Sequence, residues 1–379
     1  MLAERIDVYN HLKDDRRALY EYQYRTEKDY KSEFEWLKEV DSVALQQSNK
    51  DLISAYSNFF KSLSGKRNGK SGFPKFHKKG QKESYRTQNN NNVIRIDFLN
   101  QKVHLPKLGD VKFKDGRSSF PGKIKNATIS KTKTGKYFVS LLYEYDREIK
   151  QFDLEAALDK GLFIKGLDMS LEHFYVDECG RSPEYVRLYK KYEDRIAYLQ
   201  KKVSKKKKGS SNRRKAQLRV NKIHEKIANS RKDFVEKLST SLIRENDVIV
   251  IESLNMQNMA QALKLGKSVN DLGWGMFVSR LNQKAIDSGK SIIQADKWFA
   301  SSKTCSTCGY INNDLQLGDR EWVCPKCNTH HLRDMNAGIN LREYGLNKLL
   351  ARLEQPGVPL EMSASVESKK EGFQPSFNG

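Results

Sequence analysis

The chain has 379 residues, enough for two or three domains and a sizeable core. Its 69 Lys and Arg against 47 Asp and Glu give a formal net charge of +22 and a pI near 9.6, which points to a polyanionic partner, nucleic acid first. No apolar run approaches the roughly 18 residues that span a bilayer, so a membrane partner is set aside. The five cysteines fit a reducing cytoplasm better than a secreted disulfide scaffold, because four of them have metal-binding spacing.

Residues 1–65 read as a helical domain, with Leu45, Leu52, Tyr56, Phe59 and Leu63 at steps of mostly three and four and Gly65 closing the run. A polar, basic connector follows over residues 66–92. Its aromatics Phe73, Phe76 and Tyr85 alternate with Lys75, Lys78 and Arg86, a pattern suited either to stacking on bases while pairing with phosphates or to a solvated loop docked on the next domain. From 93 to 146 the period changes to two, in Ile94, Ile96, Phe98, Val103, Leu105, Val111 and Phe113 and again from Tyr137 to Tyr145, with TKTGK as a turn. This predicts a small antiparallel barrel or sandwich.

Residues 162–186 supply short core strands, LFIKGLDMS, then HFYVDEC, then a third near Tyr185. Cys179 reads as an ordinary buried or half-buried thiol. Two heptad series flank KKKKGSSNRRK and predict an antiparallel helical hairpin. Residues 201–232 hold fourteen Lys or Arg and one Glu, so more than half of the net charge sits in this hairpin. Such a run is either a solvated face or a track for a phosphate backbone, with Lys205, Lys206, Lys207, Lys208, Arg213 and Arg214 as the candidate contacts. The strand DVIVIESL, a helix from about Gly275 to Ser288 and the strand SIIQADKWF complete an α/β core. Beyond residue 348 the tail, 349–379, lacks periodicity and reads as disordered.

Two stretches carry chemistry. Cys305/Cys308 and Cys324/Cys327 are two CxxC knuckles fifteen residues apart, which can close a tetrahedron around structural Zn²⁺, with a four-thiolate iron site as the competitor. His330 and His331 lie close enough to substitute as ligands, while Lys303, Arg320 and Trp322 on the knuckle are candidates for holding DNA. The acids Asp168 and Glu252 end buried strands, and Asp334 lies in a closely packed RDMNAGINL run. Converging, the three could hold a pair of Mg²⁺ ions for phosphodiester hydrolysis. Singly, they read as a turn former, a strand-end charge and a helix cap.

The strings GLDMSLEHFYVD, ENDVIVIESLNM, LGKSVNDLGWGMF, ADKW, SSKTCSTCGY, DREWVCPKC and HLRDMNAGIN resemble the TnpB/OrfB family of transposon-encoded RNA-guided DNA nucleases, related to type V CRISPR effectors. The resemblance spans roughly residues 5–345. It implies an α/β multidomain protein in which an RNase H-like RuvC core is interrupted by a zinc ribbon. A β-barrel wedge domain and an N-terminal helical recognition domain come before that core. The implied boundaries are 1–65 for recognition, 66–150 for connector and wedge, 151–299 for the core with its basic hairpin, 300–330 for the ribbon and 331–348 for the C-terminal core helix. Asp168, Glu252 and Asp334 fall on the family's catalytic positions. The implied partners are a guide RNA from the transposon end and double-stranded target DNA, in the bacterial cytoplasm and at the nucleoid when bound. The alternative is a guide- or DNA-binding protein, or a decayed transposase accessory, without cleavage. Family members usually open on a basic strand, whereas this chain opens at MLAERIDVYNHL, inside what reads as the first helix, so the first wedge strand is expected to be missing. Leu332 and Ala300 stand where the family commonly has a polar or acidic residue and a Pro.

Overall fold

Helical spacing at the start of the chain produces α1 (Leu2–Leu12), α2 (Arg16–Glu21), α3 (Glu27–Glu33) and the long α4 (Ser42–Leu63). The computed structural model describes residues 2–67, 69–76, 83–148, 150–253, 271–316 and 318–354, and the chain divides into two compact units between Arg147 and Glu148. Asp41 caps α4 by accepting from the Val43 N–H at 3.1 Å, and Gly65, at φ +69°, closes it in the left-handed region. Among the described residues no helix is long and apolar enough to cross a membrane.

The rest of the first unit is β1 (Glu83–Gln88), β2 (Arg95–Asp97), β3 (Lys102–Leu105), β4 (Gly109–Lys112), β5 (Lys123–Lys131) and β6 (Tyr137–Glu144). They form two three-stranded antiparallel sheets, β1-β5-β6 and β2-β3-β4, which share a core of Ile94, Val103, Leu105, Ile124 and Ala127. β1 lies inside the stretch read as connector. Its ESYRTQ sequence gives little apolar alternation, and the strand is held by its ladder to β5 and by Thr87, which donates to Asp41. Phe73 packs edge-on against Tyr56 and Phe59 at 5.4 and 5.2 Å, so this aromatic docks on helices rather than waiting for a base, while Phe76 is exposed. Lys75 is exposed, Arg86 pairs with Asp51 at 2.8 Å, and Lys78 lies outside the described residues.

The second unit runs through α5 (Leu154–Asp159), β7 (Ile164–Asp168), β8 (Val176–Asp177), α6 (Leu188–Ser204), α7 (Ser211–Glu245), β9 (Val248–Ile251), α8 (Trp274–Ser288), β10 (Ser291–Gln294), β11 (Glu321–Val323), β12 (His330–Leu332) and α9 (Arg333–Glu354). β10, β9 and β7 are parallel and β8 is antiparallel at the edge, in the order β10-β9-β7-β8. β9 is VIVI because both of its faces are covered. Ile249 and Ile251 join Phe174, Trp274, Phe277 and Leu281 on one side, and Val248 and Val250 join Ile293, Leu341 and Leu349 on the other.

Three expectations are corrected here. No described strand forms near Tyr185. Pro183 removes a backbone donor just before it, and the Tyr185 ring packs on Phe174 and Phe234 at 5.2 and 5.0 Å. Cys179 is exposed, in the turn that follows β8. The last helix continues past residue 348 to Glu354, because Leu349 is fully buried in the core; the remainder of the expected tail, 355–379, lies outside the described residues.

Two glycines determine how closely α9 approaches the sheet. A Cβ on Gly166 of β7 would stand 2.1 Å from the Gly338 carbonyl oxygen, and a Cβ on Gly338 would meet the Asp177 and Glu178 backbone at 2.8 Å. Gly338→Ala should therefore destabilise the chain by about 1–3 kcal/mol through overpacking against backbone that cannot rotate away. An unchanged denaturation midpoint would show that the β8 turn yields instead.

Candidate active site and metal centre

The parallel register of β7 and β9 pairs Leu167 with Ile251, so the next step along each strand sets Asp168 beside Glu252 at one edge of the sheet. Adjacent strands lie about 4.8 Å apart, and side chains at matched positions leave on the same face. The third acid, Asp334, sits in the first turn of α9. It is four residues before Gly338, on the helix face that the glycine contact presses toward β7. Close packing thus brings the three acids together from positions 168, 252 and 334.

The electrostatics of this edge are unfavourable for three free carboxylates. Burial, then the charges of Glu252 and Asp334, hold the Asp168 carboxyl well above the usual carboxylate range, against the opposing pull of Arg333. Burial also raises Glu252, although hydrogen bonds from Ser301 and Asp168 and the charge of Arg333 work the other way. Ser301 Oγ donates to Glu252 Oε1 at 2.6 Å, and Arg320 approaches Asp334 at 3.8 Å. The donors are the hard oxygens that a divalent cation takes, and such an ion would offset the repulsion; among the described residues only the cysteine group already has its ligand atoms all within 4.8 Å of one another.

Beside it stands the cysteine cluster. Cys305, Cys308, Cys324 and Cys327 present sulfurs all within 4.8 Å of one another, with Cys305–Cys327 and Cys308–Cys324 each at 3.6 Å. Four thiolates around one tetrahedral ion with bonds near 2.3 Å would be about 3.8 Å apart, so the donor set fits a single thiophilic ion. Thr329 donates to Cys327 and holds its thiol at about 6, whereas Cys308, despite the Tyr310 N–H, is pushed up to about 12 by burial and the neighbouring thiols. His331 is buried, with Nε2 3.1 Å from Cys305 Sγ, which makes it a hydrogen-bond partner of the cluster. His330 is exposed and pairs with Glu321 at 3.1 Å.

The two sites are joined. Asn340 donates from Nδ2 to the carbonyls of Ser301 and Thr304, both at 2.7 Å, and Asn336 donates to Thr304 at 2.7 Å while accepting from the Ser306 N–H. Two asparagines one turn apart on α9 therefore clamp the first knuckle to the helix that carries Asp334. Sequence reading missed Ser301, Asn336 and Asn340. The signal for the two asparagines was the paired amides of RDMNAGIN, one helical turn apart; Ser301 carried none.

The family model OrfB_IS605, described as probable transposase, matches residues 140–263, and the Cas12f1-like TNB domain model matches residues 274–341. A Streptomyces pristinaespiralis protein, provisionally named RNA-guided DNA endonuclease, is 33% identical over 83% of this chain and 74% of its own length. The chain belongs to the TnpB/OrfB family of RNA-guided DNA endonucleases. Escherichia coli InsQ, provisionally named in the same way, is 28% identical over 87% of this TnpB/OrfB chain and 81% of its own. The solved Cas12f1–sgRNA–target DNA complex contains a chain similar in fold, with a TM-score of 0.52 at 14% identity over 89% of this chain and 78% of that one.

Of the basic residues expected to meet nucleic acid in this family member, Lys205–Lys208 and Arg214 are exposed at the α6/α7 turn. Arg213 instead closes that turn, donating to the Val203 and Lys206 carbonyls at 2.8 and 3.0 Å. Trp322 is 7% exposed, with its ring tilted at 4.8 Å from that of His331, and belongs to the core around the cysteine cluster.

Proposed function

We propose that this chain is a transposon-associated RNA-guided DNA endonuclease that hydrolyses phosphodiesters at Asp168, Glu252 and Asp334. The observation that carries this reading is the convergence of three mutually repelling acids from β7, β9 and α9. These three would hold two Mg²⁺ ions, which when bound supply an activated water and stabilise the leaving oxygen. The protein's own part is to hold the carboxylates before metal arrives. Ser301 orients Glu252, the Gly166/Gly338 contact sets Asp334 against Asp168, and Arg320 is positioned to orient Asp334. The order β10-β9-β7-β8 supports an RNase H-like RuvC core from residue 151, interrupted by a ribbon in which Cys305, Cys308, Cys324 and Cys327 hold structural Zn²⁺. The first unit would supply the recognition and wedge domains that meet the guide RNA, whose source would be the transposon end.

The direct test is cleavage of plasmid DNA by the purified chain with a guide RNA, in matched and mismatched pairs, with and without Mg²⁺. Binding without cutting would favour the accessory-protein reading.

Two further outcomes are expected. Ser301→Ala removes the hydroxyl that holds Glu252 Oε1, so cleavage should fall about 10- to 100-fold with guide and DNA binding unchanged. Ser301→Thr should recover most of it, and equal rates for all three proteins would remove Ser301 from the mechanism. Changing Lys205, Lys206, Lys207 and Lys208 together to Gln should lower the slope of log affinity against log salt by about 0.7–0.9 for each phosphate that these lysines neutralise. An unchanged slope would return that turn to a solvated face.

A further inference from the structure

Trp298 belongs to the ADKW string and has no part in the site described above. Its exposure is 86%, against 1% for Trp274 and 7% for Trp322 in the same unit. It stands in the middle of an arch, residues 295–301, whose two feet are fastened to the strand end that carries Glu252. At one foot the Ala295 N–H donates to the Ile251 carbonyl at 2.8 Å; at the other Ser301 Oγ donates to Glu252 at 2.6 Å. Trp298 is three residues from each foot, so its Cα lies within about 11 Å of the Ser301 Cα whatever the turn geometry.

The arch is held firmly from inside. The Tyr344 hydroxyl donates to Asp296 Oδ2 at 2.6 Å, the Phe299 N–H donates to the Asp296 carbonyl at 3.0 Å, and Asn340 donates to the Ser301 carbonyl at 2.7 Å. Phe299 turns inward onto the Tyr344 ring at 4.7 Å, while Trp298 turns outward. The Lys297 ammonium lies 4.9 Å from the indole centroid. The largest apolar side chain available is therefore left in water, paired with a cation, on an arch tied to the strand end that carries Glu252.

We propose that Trp298 is a stacking platform for an unpaired base of the DNA strand at the cleavage site, with Lys297 facing the adjoining phosphate. The inference rests on the reading of Asp168, Glu252 and Asp334 as that site. An aromatic face stacks on any base, so it adds affinity without reading sequence, and a neighbouring ammonium tracks the backbone. Sequence tolerance is what a nuclease needs at its cutting position when base pairing with a guide supplies the specificity. The pre-set arch lets the base be held without ordering a loop first.

The experiment uses the full chain, without added divalent ions and without chelator, titrated with oligothymidylate and followed by intrinsic tryptophan emission. Wild type should show quenching on binding. Trp298→Ala should lose most of that quenching and bind about tenfold or more weakly, and Trp298→Phe should bind between the two. Because the side chain is exposed, circular dichroism should be the same for all three. Equal affinity and equal quenching in Trp298→Ala would overturn the proposal, as would Trp298-dependent binding that favours oligouridylate over oligothymidylate. Failure of the cleavage reading would be seen separately, as undiminished cutting by Asp168→Ala.

Discussion

Asp168→Ala should lower guided DNA cleavage on the order of 10³-fold or more while guide and DNA binding stay near wild type, because in the proposed function cleavage rests on the acids and binding on basic surfaces elsewhere. Asp168 is the most burdened of the three, held by burial and two neighbouring charges in a state that favours a proton or a cation. Glu252→Ala and Asp334→Ala should show comparable losses, and Asp168→Ala/Glu252→Ala should be no worse than either alone, since groups that act as a unit are not additive. The same cluster predicts a second readout. Removing one of the repelling carboxylates should leave the metal-free protein as stable as wild type or more so. Denaturant unfolding without Mg²⁺ checks this, and a marked loss of stability in Asp168→Ala would mean that the acid is structural. Mg²⁺-dependent cleavage retained by Asp334→Ala would remove that residue from the triad.

Chelation of the cysteine cluster, or Cys324→Ala, should unfold the ribbon. Its hydrophobic core is Cys305, Leu315, Trp322 and Cys324, so two of these four core residues are themselves candidate ligands. The strands β11 and β12 have three residues each, far below what holds a free hairpin in water. Metal binding in such a module supplies the folding free energy, about 10–16 kcal/mol for structural zinc. The loss should be visible as a red shift of emission from Trp322, which is buried against His331 in the folded ribbon. It should also reach the acids, because Ser301 and Thr304, which Asn336 and Asn340 clamp to α9, lie at the root of the first knuckle. Cleavage should therefore fall with the ribbon. Metal analysis should find one zinc per chain; no zinc, or an iron–thiolate spectrum from protein purified without added metal, would refute the assignment.

The parts legible in the sequence were those whose signal is local. Helix α4, the hairpin of α6 and α7, the longer strands of the central sheet and both cysteine knuckles follow from spacing within a few turns or a few residues. The three acids could be nominated because each ends an apolar run or lies in a helix of small residues. Their meeting could not be read locally, because it depends on a parallel register between strands some 84 residues apart and on one glycine of β7 facing one glycine of α9. β1 was missed because its stability comes from a partner strand rather than from its own alternation, and a third strand near Tyr185 was expected because an aromatic in an extended stretch looks the same whether it enters a ladder or packs into a core. Trp322, a candidate DNA contact, is buried, and Phe73, left open between base stacking and docking, packs half-buried on helices, while Trp298, which carries no local signal of exposure, stands in water. Composition and cysteine spacing by themselves pointed to a polyanionic partner and to a four-thiolate cluster; only the tertiary structure decided which hydroxyl meets Glu252 and which tryptophan stands in water, because exposure and contact depend on elements distant in the chain and a sequence window sees only its own neighbours.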